Sequence, residues 1–313
     1  MKYLIFGMGG VGASVAARLT QHGKHLDVIA RGSHLEALQN EGLYVKRSYA
    51  EDIHVKDFHA TCTEDYQGNP DVIFICVKGY SLESCYPLLL RCCSQKTLVI
   101  PLLNIYGTGQ KINQYLQREL GCNAPLCADG CIYVSAELEG AGILLERGPK
   151  CRVVFGLPDQ KEQPASLHTV AADVASAGID CILSEDIRRD ALKKFTYVSP
   201  MGATAILCQS NAGDVSAKPS VRSTFTQAIQ EIVSIGEAMG ITFGEDMITT
   251  NIGIAEGLNP ASTTSMQRDL ESGRPSEFDG LINEVIRLGE KYQVDTPTYL
   301  RAKEQALKRF GVS

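Results

Sequence analysis

Over the first 184 positions, short aliphatic runs alternate with stretches of helical periodicity. Tyr3–Phe6, Leu26–Ala30, Asp71–Val77 and Thr97–Leu103 predict strands. The run Asp-Val-Ile-Phe-Ile-Cys-Val at 71–77 is apolar on both alternating faces, as in a parallel strand buried inside a sheet. Between these runs, Gly10–His22 places Val11, Val15, Ala16 and Leu19 on one helical face, and Ser33–Asn40 predicts a second helix. Pro125–Val134, Gly142–Glu146 and Arg152–Phe155 predict further strands, and Ala165–Ala177 a helix. This order calls for an α/β domain whose parallel sheet carries helices on both faces.

After Asp186 the period becomes helical throughout. Ile187–Leu207, Ser220–Met239, a stretch from Glu245, Phe278–Tyr292 and Thr296–Phe310 predict helices, with Lys218-Pro219, Gly240, Asn259-Pro260, Arg274-Pro275 and Pro297 at their boundaries. The expected division is an α/β domain over 1–184 and an all-helical domain over 185–313.

Composition narrows the function classes. The chain has 313 residues, 44% hydrophobic and 21% charged, enough for a real core in one large or two medium domains. With 30 basic against 36 acidic residues, the net charge of −6 argues against a nucleic-acid partner. No apolar run approaches the ~18 residues that span a bilayer, and the first run stops at Gly7, too early for a secretory leader. A cytoplasmic protein with no membrane partner is expected. The eleven cysteines form no C-x-x-C pair, and no histidine lies near Cys122, Cys127 and Cys131 to complete a zinc set. They predict reduced, mostly buried thiols and no metal.

The first strand runs into Gly7-Met8-Gly9-Gly10-Val11-Gly12, a G-x-G-x-x-G sequence that opens a helix. The first glycine permits the tight turn, the second lets backbone approach a pyrophosphate, and the third lets helix and strand pack closely. Free N–H groups and the positive end of the helix dipole then face the phosphates. The pattern predicts a Rossmann-type dinucleotide-binding domain. Sites that prefer NAD place an acid after the second strand; here Arg31 stands there, suited to a 2′-phosphate and hence to NADP(H). Lys78 and Asn104 end two later strands, and ligands of open α/β sheets sit beyond the carboxyl ends of the strands.

Lys193 and Lys194 sit in the first turns of the Ile187 helix, ~100° apart around its axis, so at most one can face a ligand. A lysine desolvated beside a cofactor can donate a proton to a carbonyl oxygen as hydride arrives. Lys194, next to Phe195, is the candidate and Lys193 the reserve. Ser262 and Ser265 lie one helical turn apart and can present two hydroxyls to one ligand, although serines in such places are often helix caps.

Together these features resemble the ketopantoate reductase (2-dehydropantoate 2-reductase) family along essentially the whole chain. The marks are Gly7–Gly12, Arg31, Val77-Lys78, Asn104, Gly130, Asp186-Ile187, Leu192-Lys193-Lys194-Phe195, and Ser265-Met266-Gln267-Arg268-Asp269 with Glu277 twelve residues after the serine. The resemblance implies NADPH-dependent reduction of a 2-oxo acid, ketopantoate to pantoate in pantothenate biosynthesis by default. It implies Lys194 as general acid and Asn104 near nicotinamide and substrate. Ser265, Ser262 and Asn211 fall to the substrate; Lys78, Ala136 and Glu277 join the glycine loop and Arg31 on the cofactor side. Helical second domains often form dimer contacts, which admits a homodimer without requiring one.

Some positions depart from the family pattern. Four and eight residues after the catalytic lysine the family usually has asparagines, whereas this chain has Val198 and Gly202; counting from Lys193 instead gives Tyr197 and Met201. Ile105 replaces the usual glycine after Asn104, and Glu146 a usual histidine. The reductase machinery is kept while recognition of the substrate tail is altered, which also admits a reductase of other branched 2-oxo acids, in effect a 2-hydroxyacid dehydrogenase. A non-catalytic NADPH sensor is the alternative of another class.

Overall fold

The computed structural model of the chain describes residues 1–312 and divides it into two compact units, Met1–Leu103 with Gly107–Arg188, and Asn104–Tyr106 with Arg189–Ser313. Chain order in the first unit is β1 (Lys2–Phe6), α1 (Gly10–Gln21), β2 (His25–Ile29), α2 (Gly32–Asn40), β3 (Leu43–Arg47), β4 (Ile53–Val55), β5 (His59–Thr61) and β6 (Val72–Ile75). There follow α3 (Tyr86–Cys92), β7 (Leu98–Pro101), α4 (Thr108–Leu120), β8 (Leu126–Cys127), β9 (Asp129–Gly140), β10 (Ile143–Gly156), α5 (Ala165–Ser176) and β11 (Asp180–Leu183).

Six strands form one sheet in the order β5-β2-β1-β6-β7-β8, every pair parallel. Alternation along β1 explains its two-sided burial: Tyr3 and Ile5 enter one hydrophobic cluster with α1, while Leu4 and Phe6 enter another with α3 and α4. This is the parallel, helix-covered sheet that the aliphatic runs predict.

A second sheet was not foreseen. Its order is β11-β10-β3-β4, with β9 antiparallel to β10. The run read as one strand at Pro125–Val134 is two, β8 in the first sheet and the start of β9 in the second. The runs at 142–146 and 152–155 are the ends of one strand, β10, whose pairing with β9 shifts register between Glu146 and Cys151. That irregularity breaks the alternation, so a single strand looks like two. Inside this unit Arg18 clamps Glu146, 1% exposed, at 2.5 and 3.0 Å, and Tyr49 adds a hydroxyl at 2.7 Å. Burial alone would raise the Glu146 pKa, but the Arg18 and Tyr49 hydrogen bonds hold it below the usual carboxylate range.

Among the described residues the second unit has helices and no strands: α6 (Ile187–Cys208, whose first two residues group with the first unit), α7 (Asp214–Ala217), α8 (Pro219–Ala238), α9 (Met247–Glu256), α10 (Ser265–Glu271), α11 (Glu284–Tyr292) and α12 (Pro297–Phe310). A π-helical turn, Asp279–Asn283, leads into α11. Leu192, Phe195, Ile232, Ile235, Leu281 and Tyr299 belong to its main core. The N-terminus of α12 is capped from another helix, since Glu231 on α8 accepts from the Thr298 and Tyr299 N–H groups at 2.8 and 3.4 Å. No helix among the described residues is long and apolar enough to cross a membrane. All eleven cysteines are free thiols, six of them buried.

Asp129 opens β9 and accepts the Gly109 N–H of α4 at 2.6 Å. Burial pushes its carboxyl up to about 6 against the pull of the Gly109 and Gln110 N–H groups. The folded state therefore binds this proton more tightly than the unfolded chain does. The stability due to this group falls as pH rises from about 4 to about 6, by roughly 1–3 kcal/mol. Chemical denaturation across that interval should show the slope, and Asp129→Asn, which keeps an oxygen for Gly109, should flatten it.

Candidate active site

The glycine loop leaves β1 at its carboxyl end. Gly7 has φ +100°, a conformation glycine alone adopts without strain, and a Cβ there would lie 2.7 Å from Val77 Cγ1. A side chain on Gly12 would strike the Gly7 carbonyl oxygen, and one on Gly10 the carbonyl oxygen of Ala136 on β9. Those glycines are required by packing. Gly9 is different: its φ of −72° suits any residue, and nothing of the protein lies within 4 Å of the Cβ position. A glycine that neither backbone nor packing demands leaves an open approach to the main chain, which fits a phosphate at that point. No side chain caps α1, and its first turn carries no acid.

The rest of the cofactor-side candidates in this unit gather around the loop to different degrees. Ala136 is brought against Gly10, and Val11 packs on the core beside α1. Lys78 follows Val77, the residue packed on Gly7. Arg31 is exposed at the N-cap of α2, just past β2. Sequence reasoning missed His34. The Gly142 N–H donates to His34 Nδ1 at 2.9 Å, so the ring proton sits on Nε2 and goes to the Met8 carbonyl at 2.9 Å. Burial lowers the His34 pKa, with the Met8 bond opposing, which keeps the ring in this neutral form. An imidazole thus ties the loop to α2 and to the β9–β10 turn; an isolated histidine in a helix gives no signal of that.

In the second unit the two neighbouring lysines part company. Lys193 forms an ion pair with Glu245 and is 37% exposed in its side chain. Lys194 is 8% exposed, and its Nζ donates to Asn104 Oδ1 at 2.8 Å. An ammonium can only donate, so the facing atom of Asn104 is the oxygen. Asn104, Ile105 and Tyr106 group with the helical unit although they follow β7. The Ile105 side chain fills the space over Gly280, where any Cβ would collide with it, and Tyr106 packs against Phe195 at 6.2 Å between ring centroids. A residue too large at 105 is matched by one with no side chain at 280.

Glu277 is 3% exposed, just ahead of the π-helical turn. Thr264, not a serine, caps α10, accepting from Gln267 N at 3.0 Å, and Ser265 takes the first helical position. The next residue, Met266, closes over Gly202: its Cε lies where a side chain at 202 would begin. Asn211 Oδ1 accepts from Asp214 N at 3.2 Å, so that oxygen already caps the turn into α7. Ala212 N donates to the Ser262 carbonyl at 3.0 Å, holding Asn211 and Ser262 in one corner of the unit.

A family model described as ketopantoate reductase PanE/ApbA matches residues 3–160, and its C-terminal counterpart matches 186–303. The chain belongs to the ketopantoate reductase family. Among its relatives is a 2-dehydropantoate 2-reductase of Mesorhizobium japonicum, 26% identical with 95% of this chain and 94% of that protein covered. Two solved structures share the fold over 99% of both chains. One is the PanE/ApbA family ketopantoate reductase of Ralstonia eutropha JMP134, at TM-score 0.84 and 23% identity. The other is a ternary complex of D-mandelate dehydrogenase with NADH and anilino(oxo)acetate, at TM-score 0.87 and 20% identity.

Replacing His34 by alanine removes the ring that fixes the Met8 carbonyl. One neutral hydrogen bond of this kind is worth about 1 kcal/mol. A titration of NADPH fluorescence should show the His34→Ala dissociation constant raised about fivefold, with an unchanged far-ultraviolet circular dichroism spectrum.

Proposed function

We propose that this chain reduces a 2-oxo acid to the 2-hydroxy acid with NADPH, with ketopantoate, reduced to pantoate for pantothenate biosynthesis, as the default substrate. The observation that carries the reading is the buried Lys194 ammonium directed at Asn104, beside an Ile105–Gly280 contact that holds the asparagine's loop to the helical unit. When bound, NADPH supplies the hydride. The α1 N-terminus and Gly9 hold its pyrophosphate, Arg31 its 2′-phosphate, and Lys78, Ala136 and Glu277 complete the cofactor side. Lys194 gives a proton to the substrate's carbonyl oxygen. Asn104, with its oxygen turned to Lys194, has amide protons to donate to the same substrate. The hydroxyls of Ser265 and Ser262 take the carboxylate, and the Asn211 amide faces the tail. A homodimer belongs to the same proposal, as does a cytoplasmic setting.

Loss of a positioned general acid costs about 10²–10⁴ in rate. Lys194→Ala should lose that much kcat in an NADPH-oxidation assay while its NADPH dissociation constant stays within a few-fold. Lys193→Ala, which removes only a surface ion pair, should keep most of its kcat. A protein that only senses NADPH would have no turnover for either change to remove.

A second reading concerns the tail. Val198 packs with the apolar core of the unit, and the Met266 methyl occupies the space over Gly202. No amide stands at either turn of α6 beyond Lys194. Sites that bond a substrate hydroxyl reject its absence by ~10⁴–10⁵, and a site lined by carbon does not. The kcat/KM values for ketopantoate and 2-oxoisovalerate should therefore lie within about tenfold of each other. A strong preference for ketopantoate would remove this second reading and leave the first.

A further inference from the structure

Pro200 lies inside α6. Proline has no N–H, so the carbonyl of Thr196, one turn earlier, loses its helical donor, and the ring crowds that carbonyl. The replacement comes from a different helix. Asn251 on α9, 1% exposed, donates from Nδ2 to the Thr196 carbonyl at 3.0 Å and to Thr196 Oγ1 at 2.9 Å. Thr196 Oγ1 in turn donates to the Lys193 carbonyl at 2.6 Å. One side-chain amide thereby closes the turn from 193 to 196, and Lys194 lies within it.

The residue next to the proline is secured separately. Ser199 Oγ donates to the Leu281 carbonyl at 2.6 Å and meets Tyr299 Oη at 2.8 Å. These bonds anchor α6 at Ser199, the residue just before the proline, to the π-helical turn and to α12. One turn earlier, Asn251 is the side chain that donates to the freed Thr196 carbonyl. We propose that Asn251 is a positioning residue for the reduction: it replaces the hydrogen bond that Pro200 deletes and so fixes the turn of α6 from which Lys194 reaches Asn104. This rests on the reductase reading of Lys194. Asn251 touches neither Lys194 Nζ nor Asn104; it acts through the backbone that carries the lysine.

The proline makes the role testable by rescue. In Asn251→Ala the Thr196 carbonyl loses the Asn251 donor, the turn relaxes, and a misplacement on the ångström scale lowers kcat by about tenfold to a hundredfold. The KM for NADPH should stay within about twofold, because the cofactor-side residues lie elsewhere in the chain. Adding Pro200→Ala restores a backbone N–H to Thr196, so the double variant should recover kcat to within about threefold of Pro200→Ala alone. A residue needed only for packing would not be rescued by a proton donor at position 200. If Asn251→Ala alone does not fold, comparison of Pro200→Ala with the double variant still decides: equal kcat supports the proposal and a tenfold gap overturns it. Full kcat in Asn251→Ala, beside an active wild type, overturns the role of Asn251 alone. A wild type that oxidises no NADPH with any 2-oxo acid overturns both this role and the reductase reading.

Discussion

A buried ammonium group costs several kcal/mol unless its protons meet acceptors, and the helical unit is arranged around one such group. Lys194 has Asn104 Oδ1 at 2.8 Å as an acceptor. The choice of an amide matters. An ammonium only donates, so the amide oxygen of Asn104 fixes one of its N–H directions. Lys193, one residue earlier, pairs with Glu245 and sits partly in solvent. Neighbouring residues of one type are given different chemistry by the direction in which the helix presents them.

Holding that contact requires two distant parts of the sequence to meet. Asn104 comes from the end of the parallel sheet, and the Ile105 side chain over Gly280 and the Tyr106 ring against Phe195 seat its loop in the helical unit. The π-helical turn that contains Gly280 also receives Ser199 from α6 through the Leu281 carbonyl. Irregular helical turns tend to be kept where a site needs a particular backbone path. Here the irregular turn begins two residues after Glu277, and the interruption of α6 begins two residues after Lys194.

Much of the first unit was legible because a strand buried on both faces has a simple signature. The run at 71–77 contains β6, and the run at 97–103 contains β7, both wholly buried. The glycine loop was legible for the same reason of economy: close packing at 7, 10 and 12 admits no side chain. The second sheet was hidden. β3 and β4 are short and half exposed, and the register shift in β10 divided its pattern. In the candidate site, Lys194 could be named from its position, but the choice over Lys193 depended on burial and on a partner 90 residues away. His34 and Asn251 left no trace in the sequence, since each acts by bonding a backbone carbonyl. The proline that gives Asn251 its work was visible; its partner was not.

The most direct test of the account is an experimental structure of the protein with NADP⁺ and a 2-hydroxy acid bound. The account predicts the Lys194 nitrogen within ~3.2 Å of the substrate's hydroxyl oxygen, with Asn104 still accepting from the lysine. A complex in which Lys194 lies away from that oxygen, with Lys193 or water in its place, would contradict it.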